Sequence, residues 1–573
     1  MFRSSVAQLA VACVLVSNIR SHLGLSGSIF LNAFAASDFD WETLTASPSL
    51  NWTSCYSGFE CSLLEVPLDY TADKGNASIA VLRLPATAPK SEYLGPILFN
   101  PGGPGGSGVS TIVSLGAEFA EFLGPQFDIV GFDPRGVSFS KPAVSFFNTA
   151  AERQDWTPAD LDSRYPSLNA TREVVSTVWA QFQNIGQLAE ARDSDDFLQY
   201  ITTDNVARDM LRITQAFGFE KLQYWGVSYG SLLGATFATL FPDNVGRMAI
   251  DGIMDGDAWY SGNLTDSMLD TDKTLQTFFD GCVAAGPDAC AYYSPTADEI
   301  ASNLAALTES IRAQPFPVIT DISHGMVDFS FFRNYIFASL YSPYNAFAGF
   351  AQGLAELATG NATGVYTANQ VADFECDCDV PSTPFTANIY ESLIATTCND
   401  AVLVNDSIAE LREFYQTQAT VSSFADIWGL WRVHCSGWKV HRPDRFLGPV
   451  GANTSFPLLI IGNTADPVTP IVWAEKATSL FPGSVLLTQD SPGHTSLVAP
   501  STCTHGALRD YFQNGTLPAA NTVCAVDAEL FPGAANAATE ANALATRDTT
   551  LLNAVRVIGD VVRPIAAMGR SLR

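Results

Sequence analysis

Positive charge is scarce in this chain. Thirty lysines and arginines stand against 59 aspartates and glutamates, giving a formal net charge of −29 at pH 7 and an isoelectric point near 4.4. Such a field repels nucleic acid and anionic membranes, which excludes both as partners. It suits instead a protein kept soluble in an acidic extracellular medium. Charged residues of either sign make up only 16% of the chain and apolar residues 47%, a globular balance rather than a disordered one. Beyond the N-terminal stretch no run of 18 uninterrupted apolar residues occurs, so no membrane span is expected. Histidine is rare, with six residues in 573, which leaves few candidates for a general base. The length predicts more than one domain, or one large α/β domain carrying an insertion.

What is present begins with MFRSSVAQLAVACVLVSNIR, in which a basic Arg3 precedes an apolar stretch too short for a bilayer. This reads as a signal peptide over residues 1–35, with a small-x-small cleavage site at Ala33-Phe34-Ala35 or an earlier one near Ser17. Sequons at Asn51, Asn76, Asn169, Asn263, Asn361, Asn405, Asn453 and Asn514 are candidate glycan sites. Eleven cysteines become ten once Cys13 leaves with the signal, an even number that fits a disulfide framework. Spacing suggests local bridges Cys55–Cys61, Cys282–Cys290 and Cys503–Cys524, and leaves three connectivities for Cys376, Cys378, Cys398 and Cys435. The CDCD run lacks a nearby histidine and fits zinc-ligand spacing poorly, so no metal is expected. Secretion to the extracellular space is the predicted localisation.

Two blocks alternate short apolar runs with helical patterns. The first, from about 60 to 255, holds SIAVLRL, GPILFN, FDIVGFD, LQYWGVS and RMAIDGI; the second holds FPLLIIGNTAD and SVLLTQD. Near-continuously apolar strands separated by helices predict a mainly parallel sheet covered on both faces. Between the blocks the pattern turns helical and aromatic, which predicts a cap inserted into the α/β domain. The expected organisation is a core at 36–256, a helical cap at 257–450 and the rest of the core at 451–573.

Two glycine-rich motifs carry the chemistry. NPGGPGGSG follows the strand candidate GPILF, yet continues into VSTIV without the Lys-Ser/Thr of a phosphate loop, and it lacks dinucleotide spacing. Gly226-Val227-Ser228-Tyr229-Gly230 is the single G-x-S-x-G, with a strand pattern before it and a helix pattern after it. Such an elbow exposes the serine hydroxyl at the carboxyl edge of the sheet. A serine nucleophile needs a base and an orienting acid, which follow it in the order acid, then histidine. His494, in DSPGHTS after the strand SVLLTQ, is the base candidate, and His505 is weaker. Asp466 follows the run PLLII and is the acid candidate, with Asp251 after RMAI as the alternative.

NPGGPGGSG, FDPRGVSFS, YWGVSYGSLLGATFATLFPDNVGRMAIDG, ADPVTP and PGHTS together resemble the α/β-hydrolase family of prolyl aminopeptidases. More closely, the resemblance is to its secreted tripeptidyl-aminopeptidase-like branch, through W-x-x-C with FECSLLEVPLDY, TTCNDA, CSGW and the ending STC…YFQNG-x-LP…C. It spans nearly the whole mature chain. It implies an α/β-hydrolase fold with Ser228 as nucleophile, Asp466 as acid and His494 as base. An oxyanion hole would be formed by the backbone N–H groups of Tyr229 and, by motif position, Gly103. The family's HGGPG reads NPGGPG here, so the loop must be braced differently. The implied activity is cleavage near a peptide N-terminus with no cofactor, on a peptide or on a small ester or amide. An amine anchor would come from acidic residues of the cap: Asp373, Glu375, Asp377, Asp379 or Asp400. A carboxylesterase or a small-molecule tailoring hydrolase with the same triad is the alternative.

Overall fold

A computed structural model describes residues 39–149, 152–153, 166–193, 195–321, 323–368 and 388–532. The expected signal peptide, the acidic candidates Asp373, Glu375, Asp377 and Asp379, and Cys376 and Cys378 lie outside the described residues. Every element below belongs to the compact unit that begins at Trp41.

The first strands are β1 (Thr53–Cys55), β2 (Phe59–Pro67) and β3 (Asn76–Leu84), an antiparallel meander. Then come β4 (Gly95–Asn100), α1 (Gly108–Leu123), β5 (Phe127–Phe132), α2 (Val174–Arg192), α3 (Thr203–Ala216), β6 (Leu222–Val227), α4 (Tyr229–Leu240) and β7 (Val245–Asp251). Between β7 and the next strand of the sheet the chain is mainly helical: α5 (Gly256–Ser261), α6 (Thr271–Ala285), α7 (Ala297–Ala313), α8 (Phe329–Ser339), α9 (Pro343–Ala358), α10 (Thr363–Ala368), α11 (Ile389–Asp400), α12 (Ile408–Gln418), α13 (Ala425–Trp428) and α14 (Leu430–Ser436). A hairpin of β8 (Phe316–Ile319) and β9 (His324–Val327) interrupts these helices. The chain returns through β10 (Leu459–Ala465), α15 (Ile471–Leu480), β11 (Val485–Pro492), α16 (Thr502–Asn514) and β12 (Thr522–Ala525).

Strand order in the large sheet is β1-β2-β3-β5-β4-β6-β7-β10-β11-β12, parallel from β5 through β12. All six residues of β4 and all six of β5 are buried, as a strand covered on both faces requires. α3 buries Val206, Met210 and Ile213 along one stripe. The mainly parallel sheet read from the apolar runs is therefore present. The sequence alone did not show which segments pair across distances such as β7 to β10.

Four disulfides staple the unit: Cys55–Cys61, Cys282–Cys290, Cys398–Cys435 and Cys503–Cys524. The pair Cys398–Cys435 chooses among the connectivities that spacing left open. FDPRG has a structural part. Arg135 forms a fully buried ion pair with Asp209 at 2.6 Å and donates to the carbonyls of Pro67 and Leu68. Asp133 accepts from Ser107 Oγ and from the N–H of Val109, holding the N-terminus of α1, while burial pushes its carboxyl up to about 6.

Candidate active site

Parallel strands put their carboxyl ends on one edge of the sheet. There β4, β6, β7, β10 and β11, direct neighbours in that order, deliver Asn100, Val227, Asp251, Ala465 and Pro492. The turns that follow carry Gly103, Ser228, Asp466 and His494.

Ser228 sits between β6 and α4 with φ 59° and ψ −126°, a conformation costly for a non-glycine residue. Neighbouring close approaches explain the flanking glycines. A Cβ on Gly226 would lie 2.3 Å from the Gly230 carbonyl, and one on Gly230 would lie 2.6 Å from the Asn100 carbonyl. The Ser228 N–H donates to the Asp251 carbonyl.

The glycine loop lies against this elbow. A Cβ on Gly102 would fall 2.5 Å from the Val227 carbonyl, 2.9 Å from Ser228 Cβ and 3.1 Å from Tyr229 N. Asn100 supplies the brace that the altered motif called for: its Oδ1 accepts the Gly102 N–H at 2.9 Å. Gly102 is thus the glycine packed on the elbow, with its own N–H already engaged. Among the described residues no hydrogen bond engages the N–H of Gly103 or of Tyr229.

Asp466 and His494 are brought together. Nδ1 of His494 lies 2.9 Å from both Asp466 oxygens, and the carboxylate is fully buried. Asp466 also accepts from the N–H groups of Val468, Thr469 and Thr495 and from Thr469 Oγ1. With Nδ1–H committed to the carboxylate, Nε2 is left as the acceptor nitrogen. Asn463 Nδ2 donates to the carbonyls of Gly493 and Thr495, and the His494 N–H donates to the Tyr341 carbonyl from the helical insertion. Among the described residues no hydrogen bond joins Ser228 Oγ to His494, a looseness common in unliganded sites.

The alternatives fall elsewhere. Asp251 spends its side chain on Ser496, accepting from its N–H and its hydroxyl, and burial pushes its carboxyl up to about 6. It braces the loop two residues after His494. His505 lies in α16 with Nδ1 2.8 Å from the Ser501 carbonyl, and burial lowers its pKa to about 4. Asp400 requires a correction. It is buried, and its two oxygens accept from the Thr203 N–H, the Thr203 hydroxyl and Trp259 Nε1, so it offers no open face to a substrate amine.

Sequence reasoning missed Thr469, Ser496 and Asn463. Only Thr469, three residues after Asp466, carried a signal, the short spacing over which an Asp side chain reaches hydroxyl and N–H groups ahead of it.

Residues 95–287 match the family described as alpha/beta hydrolase fold, and residues 421–524 match the one described as TAP-like protein. The chain is a TAP-like α/β hydrolase. The TAP-like match covers both Asp466 and His494, and the other covers the glycine loop and the Ser228 elbow. Among relatives of this TAP-like hydrolase, the "Tripeptidyl aminopeptidase" of Streptomyces coelicolor is 28% identical over 511 residues, covering 86% of each chain. The "Serine protease Hip1" of Mycobacterium tuberculosis is 28% identical over 505 residues, covering 83% of this chain and 91% of its own. "Carboxylesterase B" of the same species is also 28% identical, over 508 residues, with 84% and 90% covered.

Proposed function

We propose that this serine hydrolase is a secreted exopeptidase that releases short peptides or amino acids from peptide N-termini. Ser228 is its nucleophile, His494 its base and Asp466 its orienting acid. His494 Nε2 takes the hydroxyl proton as Ser228 attacks the scissile carbonyl. Asp466 holds the ring by Nδ1 and stabilises the imidazolium. The unengaged N–H groups of Gly103 and Tyr229 receive the oxyanion, and water then hydrolyses the acyl-enzyme. The observation that carries this reading is the convergence, at one sheet edge, of a strained serine elbow, a buried Asp–His pair and two free N–H groups. The relatives named as a tripeptidyl aminopeptidase and a serine protease support a peptide substrate. The helical insertion over this edge serves as the cap that limits how much chain enters, and Glu375 and Asp377 remain the amine-anchor candidates.

Secretion is supported by four disulfides and by the exposure of all eight sequon asparagines, the proposed glycan sites. Among the described residues no helix is long and apolar enough to cross a membrane.

A carboxylesterase is the second reading, favoured by the equal identity to a relative of that name. Turnover of free and N-acetylated tripeptide anilides beside short-chain nitrophenyl esters separates the two. An exopeptidase prefers the free amine by about 100-fold or more, the order expected when a buried anchor loses its charged partner. Indifference to acetylation, with faster ester turnover, would overturn the peptidase reading.

A further inference from the structure

We propose that Asp400, the last residue of α11 in the cap, is a positioning residue that fixes the Ser228–Tyr229 elbow through Thr203. The inference rests on Ser228 being the nucleophile, as read above.

Tyr229 contributes more than a backbone N–H. Its side chain is buried, packs on Trp259 at 5.4 Å between ring centroids, and places its hydroxyl 2.6 Å from Thr203 Oγ1. Thr203 Oγ1 is 2.5 Å from Asp400 Oδ2, and the Thr203 N–H donates to Oδ1 at 2.9 Å. In its ionised form the Asp400 carboxylate only accepts, so the threonine then gives its proton to Asp400 and accepts from the tyrosine. In that form the order runs from Tyr229 O–H to Thr203 O–H to Asp400. Trp259, the ring against which Tyr229 packs, donates to the same Asp400 oxygen at 2.9 Å. One cap carboxylate thus holds both neighbours of the tyrosine.

The cap end of this chain is itself pinned. Cys398 is bridged to Cys435, and Asn399 Nδ2 donates to the carbonyls of Leu198 and Ile201 in the turn that leads into Thr203. Asn399 Oδ1 in turn accepts from Trp438 Nε1. Cys398, Asn399 and Asp400 are consecutive, and each ties α11 to a different partner. The opposite end of α11 meets the glycine loop, where a Cβ on Gly105 would lie 2.5 Å from the Ile389 carbonyl. Helix α11 therefore touches the glycine loop at one end and reaches Tyr229 through Thr203 and Trp259 at the other. A small displacement of the Tyr229 peptide would misalign its N–H with developing charge while leaving substrate contacts in place, so the loss should fall on kcat.

The test uses Thr203→Val, which keeps shape and removes the hydroxyl, Tyr229→Phe, and Thr203→Ser as the rescue. Active sites are counted by fluorophosphonate titration, so that unfolded protein does not enter the rate. The Ki of a peptide boronate, whose tetrahedral adduct occupies the oxyanion position, is compared with KM. The expected result for Thr203→Val and Tyr229→Phe is kcat per titrated site lower by about tenfold and boronate binding weaker by a similar factor, with KM within about twofold. Thr203→Ser should stay near wild type. Unchanged kcat and boronate Ki in both variants, or an equal loss in Thr203→Ser, would overturn the inference. Ser228→Ala separates the two levels: retained turnover there sinks the nucleophile reading and this inference with it. Loss in Ser228→Ala with no effect in Thr203→Val sinks the positioning role alone.

Discussion

At the edge of the sheet and in the seam between the core and the helical insertion, the protein buries two carboxylates in nearly the same way. Asp466 accepts from three backbone N–H groups, a threonine hydroxyl and His494 Nδ1. Asp400 accepts from a backbone N–H, a threonine hydroxyl and an indole N–H. What differs is what lies beyond. Asp466 faces a titratable ring whose other nitrogen can take a proton, whereas Asp400 faces a closed chain that ends on a buried phenol. On the proposed mechanism the same device serves chemistry in one region and placement in the other. What a buried carboxylate does is decided by its final partner, not by its burial.

The largest expected effect breaks the first region. Asp466→Asn would offer an amide to an imidazole that needs an acceptor, leaving the wrong tautomer facing Ser228. Peptide turnover at neutral pH should fall by about 10⁴-fold with KM little changed. A loss below tenfold would mean that Asp466 is a loop brace of the Asp251 kind. Next, Gly102→Ala forces a Cβ to 2.9 Å from Ser228 Cβ at a glycine with φ 88°. It should lower kcat by about 100-fold and lower thermal stability as well, since the left-handed backbone strains any side chain there and the Cβ would lie 2.5 Å from the Val227 carbonyl. A normal kcat would show that the loop does not set the elbow.

Much of the first region was legible in the sequence because parallel topology converts strand ends into a shared edge. Buried runs such as GPILFN and LQYWGVS marked the strands, and residues just past their ends had to fall together. The seam was not legible. Asp400 reads like any other cap acid, and its role follows from Thr203, 197 positions away in the chain. Nor could the NPGG start be understood until Asn100 Oδ1 was seen to accept the Gly102 N–H. Arg135, in one of the motifs that carried the family resemblance, is a structural pin on Asp209.

Two smaller effects remain, the first within the α/β core and the second in the seam. Arg135→Ala leaves Asp209 buried without its partner and should cost about 3–5 kcal/mol of stability in denaturant unfolding. A cost under about 1 kcal/mol would place the pair among those a surface ion pair could replace. The subtlest effect concerns pH. Burial raises Asp400 to about 7, against 3.8 for an unperturbed carboxyl. Across that window the folded state holds a proton that the unfolded state has lost, so this group's stabilisation is greatest in acid and is lost as pH rises through about 7. Asp133 and Asp251, raised to about 6, act with the same sign, and buried His434 and His505, lowered to about 3 and about 4, act with the opposite sign below the ordinary histidine range, so the wild-type profile mixes them all. The difference between wild type and Asp400→Asn isolates the aspartate. Wild type should lose ground to the variant by about 2 °C in Tm between pH 5 and pH 8. A difference that does not change with pH would contradict an Asp400 whose burial lifts it above the ordinary carboxyl range.

The central claim, that Ser228 is the nucleophile fired by the Asp466–His494 pair, is tested most directly by fluorophosphonate labelling followed by peptide mapping. One adduct per chain on Ser228 is predicted, absent in Ser228→Ala and slowed by about 10³-fold or more in His494→Ala. Labelling that persists in Ser228→Ala, or that maps to another serine, would contradict it.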